Sequence, residues 1–414
     1  MLARAFSFAC AVLVGFPAIA SAQTGLSARL RVQGGYTHQT PAIVDSEHDG
    51  WMGIVPELSY LLVDDPRGLM RLTYAFTGAL HTRDPGEIAN RLTLATFYTL
   101  SKRTTLALTA DLYQTSLTNY LVSQPAIDNP VRLLPVTNSR LLTTSAAEAL
   151  SWEASQVVML TQGFDTAYVT SIDPETNLDN LSTNATLGLE RTWKYDSVGG
   201  EVRGSYVNLH TAPQPDQRFV TVTAAPRWRH DYTAEVSSSL SGGVTVVTSP
   251  DADSRTIVVP YGRAALLYTQ GLSVAELSYD AGAQASPLTG QMVRTHTVAL
   301  RGTTPLSEPN RILLGGSIGY THGALIDLRD TAPATGDFDT VLGTTDVAWV
   351  ATEWMQLFAR GLVSAQTTAG VTDATVREAV TIGIQLSTAS VADAIVVPLR
   401  LPQRVDRTDA TPLR

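Results

Sequence analysis

Period-two alternation of apolar and polar residues recurs along most of this chain, in runs of about ten residues or more. Between Leu69 and Leu80, Met70, Leu72, Tyr74, Phe76, Gly78 and Leu80 fall on one side, while Arg71, Thr73, Ala75, Thr77 and Ala79 fall on the other. The next run sets Leu92, Leu94, Thr96, Tyr98 and Leu100 against Arg91, Thr93, Ala95, Phe97 and Thr99; a third sets Leu106, Leu108, Ala110 and Leu112 against Thr105, Thr109 and Asp111. The same pattern returns at Ala185 to Glu190, at Val198 to Tyr206 and at Arg311 to Thr321. Alternation specifies strands with one lipid-like and one water-like face. Runs of this length exceed the five or six residues of an ordinary soluble strand and match what a tilted strand needs to cross a bilayer. The apolar faces carry no charges in this reading, which argues against a soluble secreted sandwich or propeller.

The connections alternate too. Short ones occur at Asp64 to Gly68, Ser101 to Arg103, Ala154-Ser155, Tyr195 to Ser197, Tyr232-Thr233, Gln270-Gly271, Ser307 to Asn310 and Thr352-Glu353. Long polar ones span His38 to Gly50, His81 to Asn90, Thr118 to Arg140, Thr170 to Asn184, Asn208 to Arg218, Ser249 to Arg255, Gln284 to Gln291, Gly323 to Asp337 and Thr367 to Arg377. Short turns on one rim and long loops on the other characterise bacterial outer-membrane barrels, the turns being periplasmic. The expected fold class is therefore all-β, a transmembrane antiparallel up-and-down β-barrel of about 18 strands.

Composition agrees. Hydrophobic residues make up 44% and charged ones 16% of the 414 residues, against about 25% charged in soluble domains, yet mean hydropathy is only +0.05. Apolar residues are abundant without being continuous, and no stretch offers the roughly 20 apolar residues of a spanning helix. Residues 1–22 read as a signal peptide: Arg4, an apolar run from Phe6 to Ile19, and Ala20-Ser21-Ala22 at the cleavage site. The remaining expected units are a barrel over 23–389 and a C-terminal tail over 390–414. Without Arg4, 28 of the 29 basic residues face 38 acidic ones; such an acidic, dispersed balance excludes nucleic acid as a partner. The single cysteine, Cys10, lies within the signal, leaving no thiol chemistry for the mature chain.

Five of the six tryptophans, Trp152, Trp193, Trp228, Trp349 and Trp354, fall beside short turns, as do Tyr60, Tyr195, Tyr232 and Tyr268; Trp51 is at the other rim. They predict a periplasmic aromatic girdle. A proline interrupts three strands that run toward short turns, at Val55-Pro56-Glu57-Leu58-Ser59-Tyr60, Ala225-Pro226-Arg227-Trp228 and Val259-Pro260-Tyr261-Gly262-Arg263-Ala264, with a proline-free echo at Ala147 to Trp152. Such prolines predict bulges or kinks. On these segments the chain resembles bacterial porin-like barrels, in particular the β-barrel porin type 2 group, some of whose members are linked to exopolysaccharide export. The resemblance covers most of residues 26 to 389 as a pattern. It implies a pore, with outer-membrane lipid, the barrel-assembly machinery and, for an exporter, periplasmic polysaccharide-export proteins as partners. Barrels of that kind usually finish on an aromatic residue, whereas here Ala379 to Leu386 is followed by a tail ending Pro-Leu-Arg, with one further strand-like piece at Val396 to Leu399.

Chemistry is sparse, and neither an enzyme nor a cofactor is expected. His38, His81, His210 and His322 fall near extracellular strand ends, where polar rims collect histidines, and none has metal-ligand spacing. His230 stands beside Asp231 at the short-turn rim, away from solutes outside the cell. Gly315-Gly316 and Gly242-Gly243 read as close strand approach. Specificity is expected in the lumen. Pore-lining candidates are Arg29, Arg31, Arg71, Arg91, Asp111, Glu190, Glu201, Arg203, Arg227, Arg263, Glu276 and Arg360, with Glu57, Arg229, Asp280 and Arg311 also inward. A lining of mixed sign suits neutral polar solutes or saccharides, and equally a plugged lumen knit by salt bridges in a structural or adhesive barrel. The longest connection, Thr118 to Arg140, is unusually apolar, and its expected role is a constriction with Asp128 and Arg132 facing the passage.

Overall fold

The computed structural model describes residues 25–388 except 41–47, 66, 83–85, 117–139, 173–177, 212–216, 251–255, 287–290, 307–310, 327–336 and 370–373. The signal peptide, the tail with Val396 to Leu399, and the loop with Asp128 and Arg132 lie outside the described residues. Eighteen antiparallel strands of 13 to 18 residues follow one another, from β1 (Leu26–Thr40), β2 (His48–Asp65), β3 (Gly68–His81) and β4 (Glu87–Ser101) to β5 (Thr104–Ser116), β6 (Arg140–Glu153), β7 (Val158–Ser171) and β8 (Leu178–Thr192). The circuit continues through β9 (Asp196–Thr211), β10 (Gln217–Asp231), β11 (Val236–Thr248), β12 (Ile257–Gln270) and β13 (Ser273–Ser286). It ends with β14 (Gln291–Pro305), β15 (Ile312–Ile326), β16 (Phe338–Thr352), β17 (Met355–Thr368) and β18 (Thr375–Ser387). Each strand pairs with its neighbours in sequence, and β1 pairs with β18, so the sheet closes.

Local chemistry sets the short turns. Gly271, between β12 and β13, has φ +59°, a left-handed conformation that glycine adopts without a Cβ clash. Elsewhere small hydroxyls hold the chain: Thr233 Oγ1 accepts from the amides of Glu235 and Val236 at 3.1 Å, and Ser155 Oγ accepts from Val157 and Val158 at 3.3 and 3.1 Å.

The faces follow from strand pairing. Leu72, Leu94 and Thr96 share one face across β3–β4 while Thr73, Thr93 and Ala95 share the other. The apolar set is exposed on the outside all the way round, as Leu187, Leu240, Leu277, Ile318 and Ile382 show. Such a surface buries itself only in hydrocarbon, and the backbone is satisfied because the sheet has no edge. The molecule is a transmembrane barrel of the bacterial outer-membrane type.

Trp152, Trp193, Trp228, Trp349, Trp354, Tyr60, Tyr195, Tyr232 and Tyr268 are all exposed at the short-turn end. A second belt, of tyrosine alone, lies toward the long-loop end: Tyr36, Tyr168, Tyr206, Tyr279 and Tyr320 are exposed there on the outer face. Several of these phenols bond to polar neighbours, Tyr36 to His48 at 2.6 Å, Tyr279 to His296 at 2.9 Å and Tyr320 to Asp339 at 2.5 Å. This suits a headgroup level, where a ring needs an apolar body and a wet tip.

Two expectations are corrected. Pro56 and Pro226 interrupt pairing on one side of their strands without changing register, because proline removes one donor but leaves the strand extended. The register shifts fall instead at Leu61/Val63, Thr99/Ser101 and Val350/Thr352, near short turns. Nor is the outer face free of charge. Glu148 shares it with Leu108 and Phe164, its direct partners on β5 and β7.

Candidate functional site

The inner wall is built by register. Alternation turns Arg29 and Arg31 inward, and pairing places Glu57 opposite Arg29, where an ion pair of 3.2 Å forms. Arg263 meets Asp280 the same way at 3.2 Å, and Arg360 pairs with Asp346. Arg91 reaches diagonally to Asp111 at 2.8 Å, while Thr93 Oγ1 donates to the same carboxylate at 2.6 Å. Gly199 stands directly between Glu190 and Arg227 in register, and across this gap in side chains the guanidinium approaches Glu190 at 4.0 Å. Arg203 donates to Thr186 at 3.4 Å. Glu276 lies opposite Arg301, and Glu201 shares the inward face with Arg203. Arg71 is exposed on this face between Leu61 and Ala95. Two guanidiniums sit over aromatic rings, Arg31 over Phe358 at 5.5 Å and Arg91 over Tyr113 at 5.6 Å.

The solvent exposure of these pairs distinguishes a wet wall from a structural network. The Arg360 side chain is 66% exposed and that of Arg91 56%. Ion pairs so hydrated contribute little to stability, so their place is to present charge of both signs to water. Carboxyl and guanidinium groups both occur around the wall, and no single sign dominates.

Nearer the long-loop rim the wall changes. Val207, Leu209, Phe219, Val247 and Val259 point inward on β9 to β12, are nearly or fully buried, and belong to one apolar cluster with Met292. Leu141 and Phe338, inward at the same rim, are equally buried. A second buried patch is polar. His81 contacts Asp49, and its Nε2 lies 3.8 Å from Glu87; Asp49 also accepts from the Thr82 amide at 3.1 Å and hydroxyl at 3.0 Å. Arg377 is buried within reach of the Glu87 charge. Four strands supply this cluster, and the spacing of its members along the chain gives no hint of it.

The histidines at the long-loop rim do not converge. His81 points inward, whereas His38, His210 and His322 point outward, His38 stacking on His48 with centroids 4.4 Å apart. His230 and Asp231 take opposite faces: His230 bonds to Asp196 at 2.8 Å, and Asp231 to Arg229 at 3.1 Å. Among the described residues no group of three or more His, Cys, Asp or Glu side chains is arranged to hold a metal ion.

No family model matches the chain, and no curated protein matches it. Solved structures similar to it include the outer membrane protein OpdK from Pseudomonas aeruginosa, with TM-score 0.46 and 11% identity over 87% of this chain and 99% of that one. OccK2 (OpdF) of Pseudomonas aeruginosa, solved in complex with glucuronate, has TM-score 0.44 and 13% identity over 87% and 98%. The ferric-catecholate import receptor Fiu from E. coli K12 has TM-score 0.44 and 8% identity over 86% and 81%.

Proposed function

We propose that this barrel is a pore conducting small polar solutes, neutral saccharides among them, through a water-filled lumen. The observation that carries this reading is the set of opposite-sign pairs on the inner wall, Arg29–Glu57, Arg91–Asp111, Arg263–Asp280 and Arg360–Asp346, half-buried in the first and with both partners exposed in the last two. Eighteen strands enclose enough width for a channel. Mixed charge hydrogen-bonds sugars and other uncharged polar molecules without strongly favouring either ion sign. Within this reading the twelve inward residues from Arg29 to Arg360 named from the sequence are the lining. An exported polysaccharide is a finer form of the same cargo class, and loss of surface glycan on deleting the gene would support it.

A second reading is a structural or adhesive barrel with a plugged lumen, favoured by the buried apolar cluster from Val207 to Val259 on the inner wall. Planar-bilayer recording with the purified protein separates the two. Stepwise conductance with weak ion selectivity, together with swelling of protein-loaded liposomes in neutral sugars, is the expected result. A correctly assembled barrel that neither conducts nor swells liposomes overturns the pore.

A further inference from the structure

Between the two aromatic belts, among the described residues, Glu148 is the one carboxylate that points outward, and it does so well inside the apolar band. It stands four residues above Trp152 on the same face of β6. That is ~13 Å along the strand, at ~3.3 Å per residue. Its direct neighbours, Leu108 and Phe164, are exposed like the rest of the lipid-facing surface. Gln162, one strand across and one outward step lower, also points outward and is exposed. No hydrogen bond or ion pair to either side chain is present among the described residues. The row above Glu148 is small: Ala110, Ala146, Thr166 and Thr183 lie in register across β5 to β8, with Thr166 and Thr183 bonded to each other at 3.1 Å. Elsewhere the band is dominated by Leu, Val, Ile and aromatic side chains.

A carboxylate and a primary amide gain nothing in hydrocarbon, where every polar group without a partner is penalised. Side by side they form a set that complements itself. Under a two-fold axis lying in the plane of this face and parallel to the membrane normal, Glu148 accepts from the partner's Gln162, and Gln162 donates to the partner's Glu148, the reciprocity of an isologous interface. The row of small side chains beside them lets two sheets approach closely. We propose that the outer face of β6 to β8 is not a lipid surface but the contact through which a second copy of this chain docks, giving a two-fold dimer in the membrane.

The test is the mass of the full protein in mild detergent, by native mass spectrometry, for the native chain and the double variant Glu148→Leu/Gln162→Leu, with heat-modifiable migration confirming assembly. A dimer that becomes monomeric in the double variant is expected, with no loss of barrel stability. Glu148→Gln, which keeps an amide able to pair with Gln162, is expected to remain dimeric and serves as the second variant if the double one does not assemble. A native monomer, a trimer, a dimer untouched by the double variant, or a different protein bound in place of the second copy would each overturn the proposal.

Discussion

Gly35 and Trp51 face each other across β1 and β2 on the inner wall, and the indole occupies the space a Cβ on Gly35 would need. An ideal Cβ there would come within 2.8 Å of the Trp51 ring and would also press on the carbonyl of Val380 in β18. The glycine thus lets a large ring lie flat against the wall beside the closing seam. Gly35→Ala should destabilise the barrel by about 1 to 3 kcal/mol, the usual range for an overpacked site. Urea midpoints measured on folded protein in bilayers check this, and Trp51→Ala in the same chain should restore part of the loss.

Facing decides what arginine costs. Leu72, Leu94 and Leu108 lie on the outer face, whereas Thr73 and Thr93 lie on the inner one. Arginine at any of the three leucines should cost about 2 to 4 kcal/mol near the bilayer midplane, while Thr73→Arg and Thr93→Arg should be nearly neutral in a wet lumen. Folding titrations of the five single variants into lipid vesicles give the comparison, and equal damage from both sets would mean that the faces are reversed.

Charge removal should move ion preference in a set direction. Asp111→Asn strips the carboxylate that offsets Arg91, leaving an exposed cation in the wall. The variant should shift reversal potential toward anions under a salt gradient, and Arg91→Gln should shift it toward cations. Identical reversal potentials in the two variants would place the pair outside the conducting path.

The buried patch at the long-loop rim should behave differently from the wet pairs. His81 bridges Asp49 and Glu87, both under a tenth exposed. His81→Leu removes one partner from each of two buried carboxylates, and breaking a buried pair this way costs about 3 to 5 kcal/mol. A lowered unfolding midpoint with unchanged single-channel conductance is expected.

The apolar content of residues 118–140 gives the last prediction. Deleting Gln124 to Val136 should raise single-channel conductance if this loop narrows the passage. An unchanged conductance in a correctly assembled barrel assigns the loop to a partner surface instead.

Most of the architecture was legible because it depends on a period. Alternation at Leu69 to Leu80 or Leu92 to Leu100 reports facing directly, and turn signals such as Gln270-Gly271 report where strands reverse, so strand number follows by counting. What depends on register was not legible. Arg29 meeting Glu57, or Gly199 clearing a path for Arg227 to Glu190, requires knowing which residues lie opposite, and period alone is silent on that. The cluster of Asp49, His81, Glu87 and Arg377 joins positions more than three hundred residues apart. Glu148 was hidden for a different reason: in Ala147 to Trp152 its parity sets it with Leu150 and Trp152 on the apolar side, against the expectation that a carboxylate faces water, and the pairing with Leu108 and Phe164 makes that placement plain.

Because β1 bonds to β18, with the Ala28 amide donating to Thr388 Oγ1 at 2.9 Å, the first strand synthesised finds its second neighbour only when the last one arrives. Until then both ends of the growing sheet expose unpaired amides and carbonyls, the condition under which strands recruit foreign chains. Assembly is therefore an all-or-none event in time as well as in space: a chain stopped before Thr375 has seventeen strands' worth of apolar surface and nowhere to end.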